Sequence, residues 1–109
     1  RPHPRSYGAH ARVLGRYVRQ ESVLTLEEAV YKMSGQVADR LGLSSRGRIT
    51  VGKAADLVVF DPEQVTDRAT FEDPHQYAKG VQYVLVNGRL ALDDGTHTGV
   101  LAGHVLEPD

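Results

Sequence analysis

Residues 83–92 read YVLVNGRLAL, two apolar runs joined by Asn87 and Gly88. A two-residue hairpin loop of type I′ needs positive φ at both central positions, and Asn followed by Gly tolerates that conformation. The β-branched and leucine residues on either side favour strands. The sequence therefore predicts a β-hairpin over residues 83–92, and with it a sheet in the second half of the chain.

Two shorter runs lie upstream of the hairpin. Residues 49–51 (ITV) and 57–60 (LVVF) are apolar or β-branched and are separated by glycine and polar residues, which predicts two further strands. The run at 57–60 is continuously apolar, so we expect burial on both faces under cover from elsewhere. Residues 61–80 are polar and contain two prolines, which predicts a connection of about twenty residues; such loops are uncommon unless they are functional or pack on another unit.

The first half of the chain carries helical signals. Prolines at positions 2 and 4 predict that residues 1–5 form a loop, and the apolar spacing that follows predicts a helix from about Gly8 to Gln20. Thr25 and Glu28 have the spacing of a capping box, which predicts that a second helix starts there.

A third, shorter helix is predicted between Ser34 and Gly42. The Ser34 side chain can cap its first turn, and Gly42 suits the left-handed residue that ends it. Helices followed by short antiparallel strands give an α+β chain. We expect a division near residue 46, with helices in residues 1–46 and a strand-rich segment, including the long polar loop at 61–80, in residues 47–109.

Composition sets broad limits. The chain has 109 residues, 40% hydrophobic and 25% charged, which is ordinary for one globular domain, and no run is apolar enough to predict a membrane span. The absence of cysteine excludes disulfides and thiolate metal sites. We therefore expect a cytoplasmic protein with no membrane partner.

Charge is divided unevenly. Residues 1–53 hold ten Lys and Arg against four Asp and Glu, and residues 54–109 hold three against ten. Arg12, Arg16 and Arg19 share one helix face, as a solvated or partner-facing stripe also would. Because no aromatic platform or docking motif accompanies the stripe, no nucleic-acid partner is expected.

The residue pattern offers no catalytic or metal centre. No two histidines have the local spacing of a zinc site, although His75, His97 and Asp94 could still assemble in three dimensions. Asp73 and His75 are a candidate acid–base pair, but the sequence around Pro74 favours a turn. No serine lies in a G-x-S-x-G motif, and the glycines from 47 to 52 lead into a strand instead of a phosphate-binding helix. We predict no catalytic residue and no metal ligand in this chain.

Two motifs identify a family resemblance. Residues 47–61 (GRITVGKAADLVVFD) resemble the G-x-I-x-x-G-x-x-A-D-hydrophobic-D segment near the C-terminus of amidohydrolase-superfamily enzymes, and residues 84–88 (VLVNG) resemble their following V-x-V-N-G hairpin. Narrower stretches are similar to the N-acyl-D-amino-acid deacylase (D-aminoacylase) branch. These are residues 3–8 (HPRSYG), 12–15 (RVLG), 69–77 (ATFEDPHQY) and 94–99 (DGTHTG).

The resemblance implies a C-terminal fragment of a zinc-dependent hydrolase that cleaves N-acyl-D-amino acids to a carboxylate and a D-amino acid. Residues 1–46 would then be the last helices of a (β/α)8 barrel, and residues 47–109 part of a small β-sandwich. The zinc ligands and the proton-shuttling Asp of an S-D-G motif would lie upstream, so the fragment is expected to be inactive and to bind no zinc alone. Its partner would be the remainder of the barrel domain.

The resemblance also suggests substrate contacts. The His3-Pro4-Arg5 loop would follow the last barrel strand, at the end of the barrel where active sites are built. His3, Arg5 and Tyr7 are therefore candidate substrate-binding residues, although Arg5 could instead hold the loop. Two other interpretations stay open, a cyclic-amidase (dihydropyrimidinase-like) branch of the superfamily and a non-enzymatic interaction module.

Overall fold

The computed structural model describes residues 1–109 and contains the predicted mixture of helices and strands. The helices are α1 (Arg5–Arg12), a π-helical continuation of it that we call the π segment (Val13–Gln20), α2 (Leu26–Met33) and α3 (Gly35–Leu41). The strands are β1 (Leu57–Phe60), β2 (Val81–Val86), β3 (Arg89–Asp93) and β4 (Thr96–His97). None of these helices combines the length and the apolar character needed to cross a membrane.

The first helix begins earlier than the prolines suggested. Arg5 is already helical, and Pro4 is the N-cap with φ −53°. A proline at a helix start loses nothing, because its missing N–H would have no intrahelical acceptor there. His3 replaces the usual cap, since its Nδ1 accepts the Arg5 N–H at 3.1 Å. The prediction that Arg5 belongs to a loop is therefore wrong.

Of the three other capping residues predicted from the sequence, two cap their helix in the structure. Thr25 Oγ1 accepts the Glu28 N–H at 3.1 Å, which confirms Thr25 as the predicted cap. The Glu28 carboxylate accepts the Thr25 hydroxyl at 3.1 Å instead of the Thr25 backbone N–H that the capping box predicts. Gly42 has φ +70° and ends α3 as predicted. Ser34 does not cap α3 with its side chain. Its Oγ donates instead to the Gly47 carbonyl, 3.3 Å away.

The four strands form one sheet in the order β1-β2-β3-β4. The predicted hairpin joins β2 and β3, which are antiparallel, with a register shift between Val84 and Leu85. Asn87 and Gly88 have φ of +50° and +77°, as a type I′ turn requires. The short β4 pairs antiparallel with β3 and was not foreseen.

One strand prediction is wrong. Residues 49–51 lie in a turn region, with Ile49 90% and Val51 102% exposed. β-branched residues favour a strand only where a partner strand accepts their hydrogen bonds. The strand predicted at residues 57–60 is confirmed as β1, and its Val58 and Val59 are exposed, so this chain does not itself provide the cover expected from elsewhere.

The chain divides into two compact units. The first unit contains Arg1–Ala29 and Phe60–Val81, and the second contains Val30–Val59 and Gln82–Asp109. These units interleave along the sequence and do not coincide with the division near residue 46. That division concerns the domains of a parent enzyme and stays a prediction.

The first unit is built by close approach of the 61–80 loop to glycines of the first helix. A Cβ at Gly8 would lie 2.7 Å from the Asp67 Cβ, and one at Gly15 would lie 2.6 Å from the Val65 carbonyl oxygen. Val65 is 1% exposed. The helix therefore carries glycine where the loop backbone has to fit against it.

The second unit holds a polar network around the hairpin turn. The Asp56 carboxylate accepts the Asn87 N–H at 2.7 Å and is ion-paired with Arg46. Arg46 also donates to the Asn87 side-chain oxygen at 2.7 Å, and the Asn87 amide donates to the Ala102 carbonyl at 2.7 Å. The motif residues Asp56 and Asn87 thus fix the turn and the tail that passes beside it.

Candidate functional site

A cleft of about 560 Å³ opens within the first unit. One wall is α1 with the two residues before it, and the other is the 67–72 part of the long loop. The cleft is lined by His3, Pro4, Arg5, Gly8, Ala9, Arg12, Asp67, Ala69, Thr70, Phe71 and Glu72.

The two arginines of the cleft are in different electrostatic states. Arg12 Nη1 donates to Asp67 Oδ2 at 3.2 Å, and this bond raises the pKa of Arg12. Arg5 is exposed and takes part in none of the ion pairs of the chain. Arg5 is thus the cleft arginine whose guanidinium is free to bind an external carboxylate, for which its fork of N–H donors is suited.

His3 is held from two sides. Its Nδ1 accepts the Arg5 N–H, so this nitrogen carries no proton and Nε2 is the donor of the neutral ring. The ring also meets the Phe71 ring edge-on, with centroids 4.9 Å apart and planes at 78°. His3 therefore lies in the cleft wall with a defined orientation.

Tyr7 lies beside the cleft and does not line it. Its hydroxyl is 3.1 Å from His75 Nδ1, and the two rings meet edge-on with centroids 5.4 Å apart. The Tyr77 ring is 5.9 Å from Tyr7. Of the three predicted substrate-binding residues, the structure therefore brings His3 and Arg5 into one cleft and puts Tyr7 in an adjacent aromatic cluster.

The sequence did not predict several residues of this region as site residues. Asp67, Phe71 and Glu72 line the cleft, and Arg19 donates to the carbonyls of Pro62 (3.0 Å) and Val65 (2.7 Å). The available signal was the length of the 61–80 loop, which is typical of functional loops. Two of the three arginines on the helix face, Arg12 and Arg19, bind this loop of the same chain.

The remaining chemical candidates have structural roles. The Thr70 N–H donates to the Asp73 carbonyl at 3.0 Å, and the Asp73 N–H donates to the Thr70 hydroxyl at 2.9 Å. Residues 70–73 therefore form a turn that ends directly before Pro74 and His75. No group of three or more His, Cys, Asp or Glu side chains could hold a metal ion, and the residues present therefore do not fit a zinc site.

The hairpin network also perturbs one ionisable group. The hydrogen bond from the Asn87 N–H, assisted by Arg46, lowers the pKa of Asp56 despite partial burial, which acts in the opposite direction. A carboxylate that accepts a backbone N–H and an arginine is held in its charged form. Asp56 is thus a structural carboxylate bound to the hairpin turn.

Comparison with known proteins agrees with the motifs. The model of the amidohydrolase family matches residues 1–91. This chain belongs to the amidohydrolase family. Within that family it is 50% identical over 106 residues to a D-aminoacylase of Alcaligenes xylosoxydans xylosoxydans, which covers 97% of this chain and 22% of the relative. The amidohydrolase segment described here thus spans about a fifth of the length of that relative.

Two solved structures have a similar backbone fold. A crystal structure of D-aminoacylase superimposes with a TM-score of 0.95 at 50% identity, over 98% of this chain and 23% of that one. N-acyl-D-glutamate deacylase from Bordetella bronchiseptica, complexed with zinc and a phosphonate inhibitor that mimics the tetrahedral intermediate, superimposes with a TM-score of 0.83 at 45% identity, over 94% and 23%. The resemblance to the D-aminoacylase branch is confirmed.

Proposed function

We propose that this chain is the C-terminal part of a zinc-dependent hydrolase that cleaves the amide of N-acyl-D-amino acids to a carboxylate and a D-amino acid. The observation that carries the proposal is 50% identity to a D-aminoacylase along 97% of the chain. The cleft adds a chemical argument. It offers one arginine without an ion-pair partner, and the substrate of such an enzyme has one free α-carboxylate.

Arg5 is the proposed carboxylate ligand. Its guanidinium can donate two parallel hydrogen bonds to a carboxylate, and Asp67 already occupies Arg12. His3 is proposed to donate a hydrogen bond to the substrate from Nε2, because its Nδ1 is taken by the Arg5 N–H. Tyr7 is proposed as the third substrate-binding residue and would act from the edge of the cleft.

The zinc of this enzyme is proposed to bind outside the chain. No metal-binding group is present among residues 1–109, so the ligands and the proton-shuttling Asp would come from the remainder of the barrel domain. This chain would supply no catalytic residue and would be inactive alone. Its contribution would be one wall of the substrate pocket.

The proposed place in the parent enzyme follows from the family. Residues 1–46 would be the last helices of the (β/α)8 barrel, and residues 47–109 would belong to the small β-sandwich beside it. The superposition on D-aminoacylase over 98% of the chain supports this arrangement. The cytoplasmic location stays a prediction, supported by the absence of cysteine.

The test uses the complete enzyme that contains this segment, purified with zinc and assayed for release of D-methionine from N-acetyl-D-methionine. We expect activity that a chelator abolishes. Arg5→Ala should raise KM roughly 30-fold, the size of a lost charge-assisted bond, and Arg5→Lys should restore part of the loss. Arg68→Ala, an exposed arginine outside the cleft, is the matched control. No release of the D-amino acid by the zinc-loaded enzyme would refute the proposal.

A further inference from the structure

The long loop is closed at its base within the first unit. Thr66 and Lys79 exchange two backbone hydrogen bonds of 3.0 Å, and Asp61 donates to the Gly80 carbonyl at 2.9 Å. Val65, next to this closure, is buried against Gly15. The two ends of the segment 66–79 are therefore held together beside Gly15 of the first helix.

Two rings of the closed loop reach the start of α1. Phe71 meets the ring of His3, and His75 meets the ring and the hydroxyl of Tyr7. These contacts are not core packing, because Phe71 is 67% exposed and His75 is also exposed. Burial of apolar surface therefore contributes little to these two contacts.

The two contacts flank Arg5. His3 precedes Arg5 by two residues and Tyr7 follows it by two, so the loop holds the chain on both sides of the arginine. His3 is also bound to the Arg5 N–H. The Arg5 side chain has no ion-pair partner of its own, so the position of its guanidinium depends on how firmly the backbone beneath it is held.

We propose that Phe71 and His75 are positioning residues, which hold the His3-to-Tyr7 turn so that the Arg5 guanidinium is oriented for the substrate carboxylate. The inference rests on the proposed function and assigns a task to the 61–80 loop. A guanidinium binds a carboxylate through two parallel hydrogen bonds in only one relative orientation, so small shifts of this turn weaken binding of the carboxylate. Two ring contacts and one hydrogen bond from the loop restrain this turn on both sides of Arg5.

The experiment is a double-mutant cycle in the complete zinc-loaded enzyme, with N-acetyl-D-methionine as the probe. The variants are Arg5→Ala, His75→Phe and the combination of both. His75→Phe keeps a ring beside Tyr7 and removes the hydrogen bond. We expect it to raise KM roughly 5- to 10-fold with little change in kcat, the effect of one lost hydrogen bond on uniform binding. In the Arg5→Ala background it should raise KM no further, because the group that it positions is gone.

A conservative variant tests the same hydrogen bond. His75→Gln retains a hydrogen-bonding side chain opposite the Tyr7 hydroxyl and should recover most of the wild-type KM. His10→Phe makes the same substitution at an exposed histidine of α1 and should leave KM unchanged. Phe71→Leu should raise KM through the contact with His3.

The outcomes separate the two proposals. If Arg5→Ala raises KM but His75→Phe and Phe71→Leu do not, the positioning role is overturned and the proposed function survives. The positioning role is also overturned if His75→Phe raises KM by the same factor in the wild-type and in the Arg5→Ala enzyme, since that result indicates a general structural role. If Arg5→Ala leaves KM unchanged, the role of Arg5 fails and the positioning role fails with it.

Discussion

The Val65 carbonyl oxygen occupies the space where a side chain on Gly15 would begin. A Cβ built on Gly15 would lie 2.6 Å from that oxygen and 3.0 Å from the Thr66 Cα. Because the obstructing atoms are backbone, they cannot move aside as a flexible side chain does. The glycine in the middle of the π segment is therefore required by the loop that packs on it.

Gly15→Ala should destabilise the first unit by about 1–3 kcal/mol, the usual cost of overpacking, despite the better helix propensity of alanine. The measurements are urea unfolding and the hydrogen exchange of the Lys79 amide, which is bonded to Thr66. Gly103→Ala is the control, because its Cβ would make an ordinary 3.8 Å contact with Val86. Equal stability of the two variants would contradict this packing.

Acid should weaken the hairpin network through Asp56. The folded-state pKa of Asp56 is below its ordinary value because the carboxylate accepts the Asn87 N–H and pairs with Arg46. A lowered folded pKa means that the stabilisation is present above the unfolded pKa, near 4, and is lost as pH falls through the folded pKa.

Asp56→Asn is the corresponding variant. It should cost about 1 kcal/mol at pH 7, since the group is partly exposed, and the difference from wild type should vanish at about pH 2. Unfolding free energies measured between these pH values check the sign. A difference that stays constant across the range would contradict the assignment of the charge.

Asn87→Gly should loosen the tail without opening the turn. Glycine adopts the positive φ of this position, so the type I′ turn is retained. The side-chain bonds from Asn87 to the Ala102 carbonyl and to Arg46 are lost. Limited proteolysis should therefore cut residues 100–106 several-fold faster while β2 and β3 stay protected. Protection of the tail equal to wild type would show that other contacts hold it.

The isolated chain should self-associate or unfold with poor cooperativity. Several large apolar side chains are exposed, among them Ile49 (90%), Val51 (102%), Leu101 (95%) and Val105 (91%). Exposed apolar surface of this kind favours association in water. Light scattering after size-exclusion chromatography and a thermal melt provide the measurement. A monomer with one sharp two-state transition would contradict the expectation, and Val51→Thr combined with Val105→Thr should reduce any association.

Local chemistry in the sequence was sufficient for the features that depend on near neighbours. The Asn87-Gly88 turn, the Thr25 cap and the left-handed Gly42 were all predicted, because each satisfies backbone groups within a few residues. The family motifs were equally readable, since they are linear. The failure at Ile49–Val51 came from a property that a segment does not possess alone, a partner strand, and the cover of β1 likewise depends on other residues.

The candidate site was only partly accessible from the sequence. His3 and Arg5 were identified by resemblance to a family, but their cleft is completed by residues more than fifty positions away, as in the Arg12–Asp67 pair. The pairing of Tyr7 with His75, 68 positions later, was also unpredictable. The sequence by itself determined the hairpin turn, the helix ends at Thr25 and Gly42 and the family, because these depend on local backbone preferences and linear motifs. The tertiary structure alone decided which arginine is ion-paired, which glycines are required and which rings flank Arg5, because contacts between distant residues depend on how the loop packs against the helix.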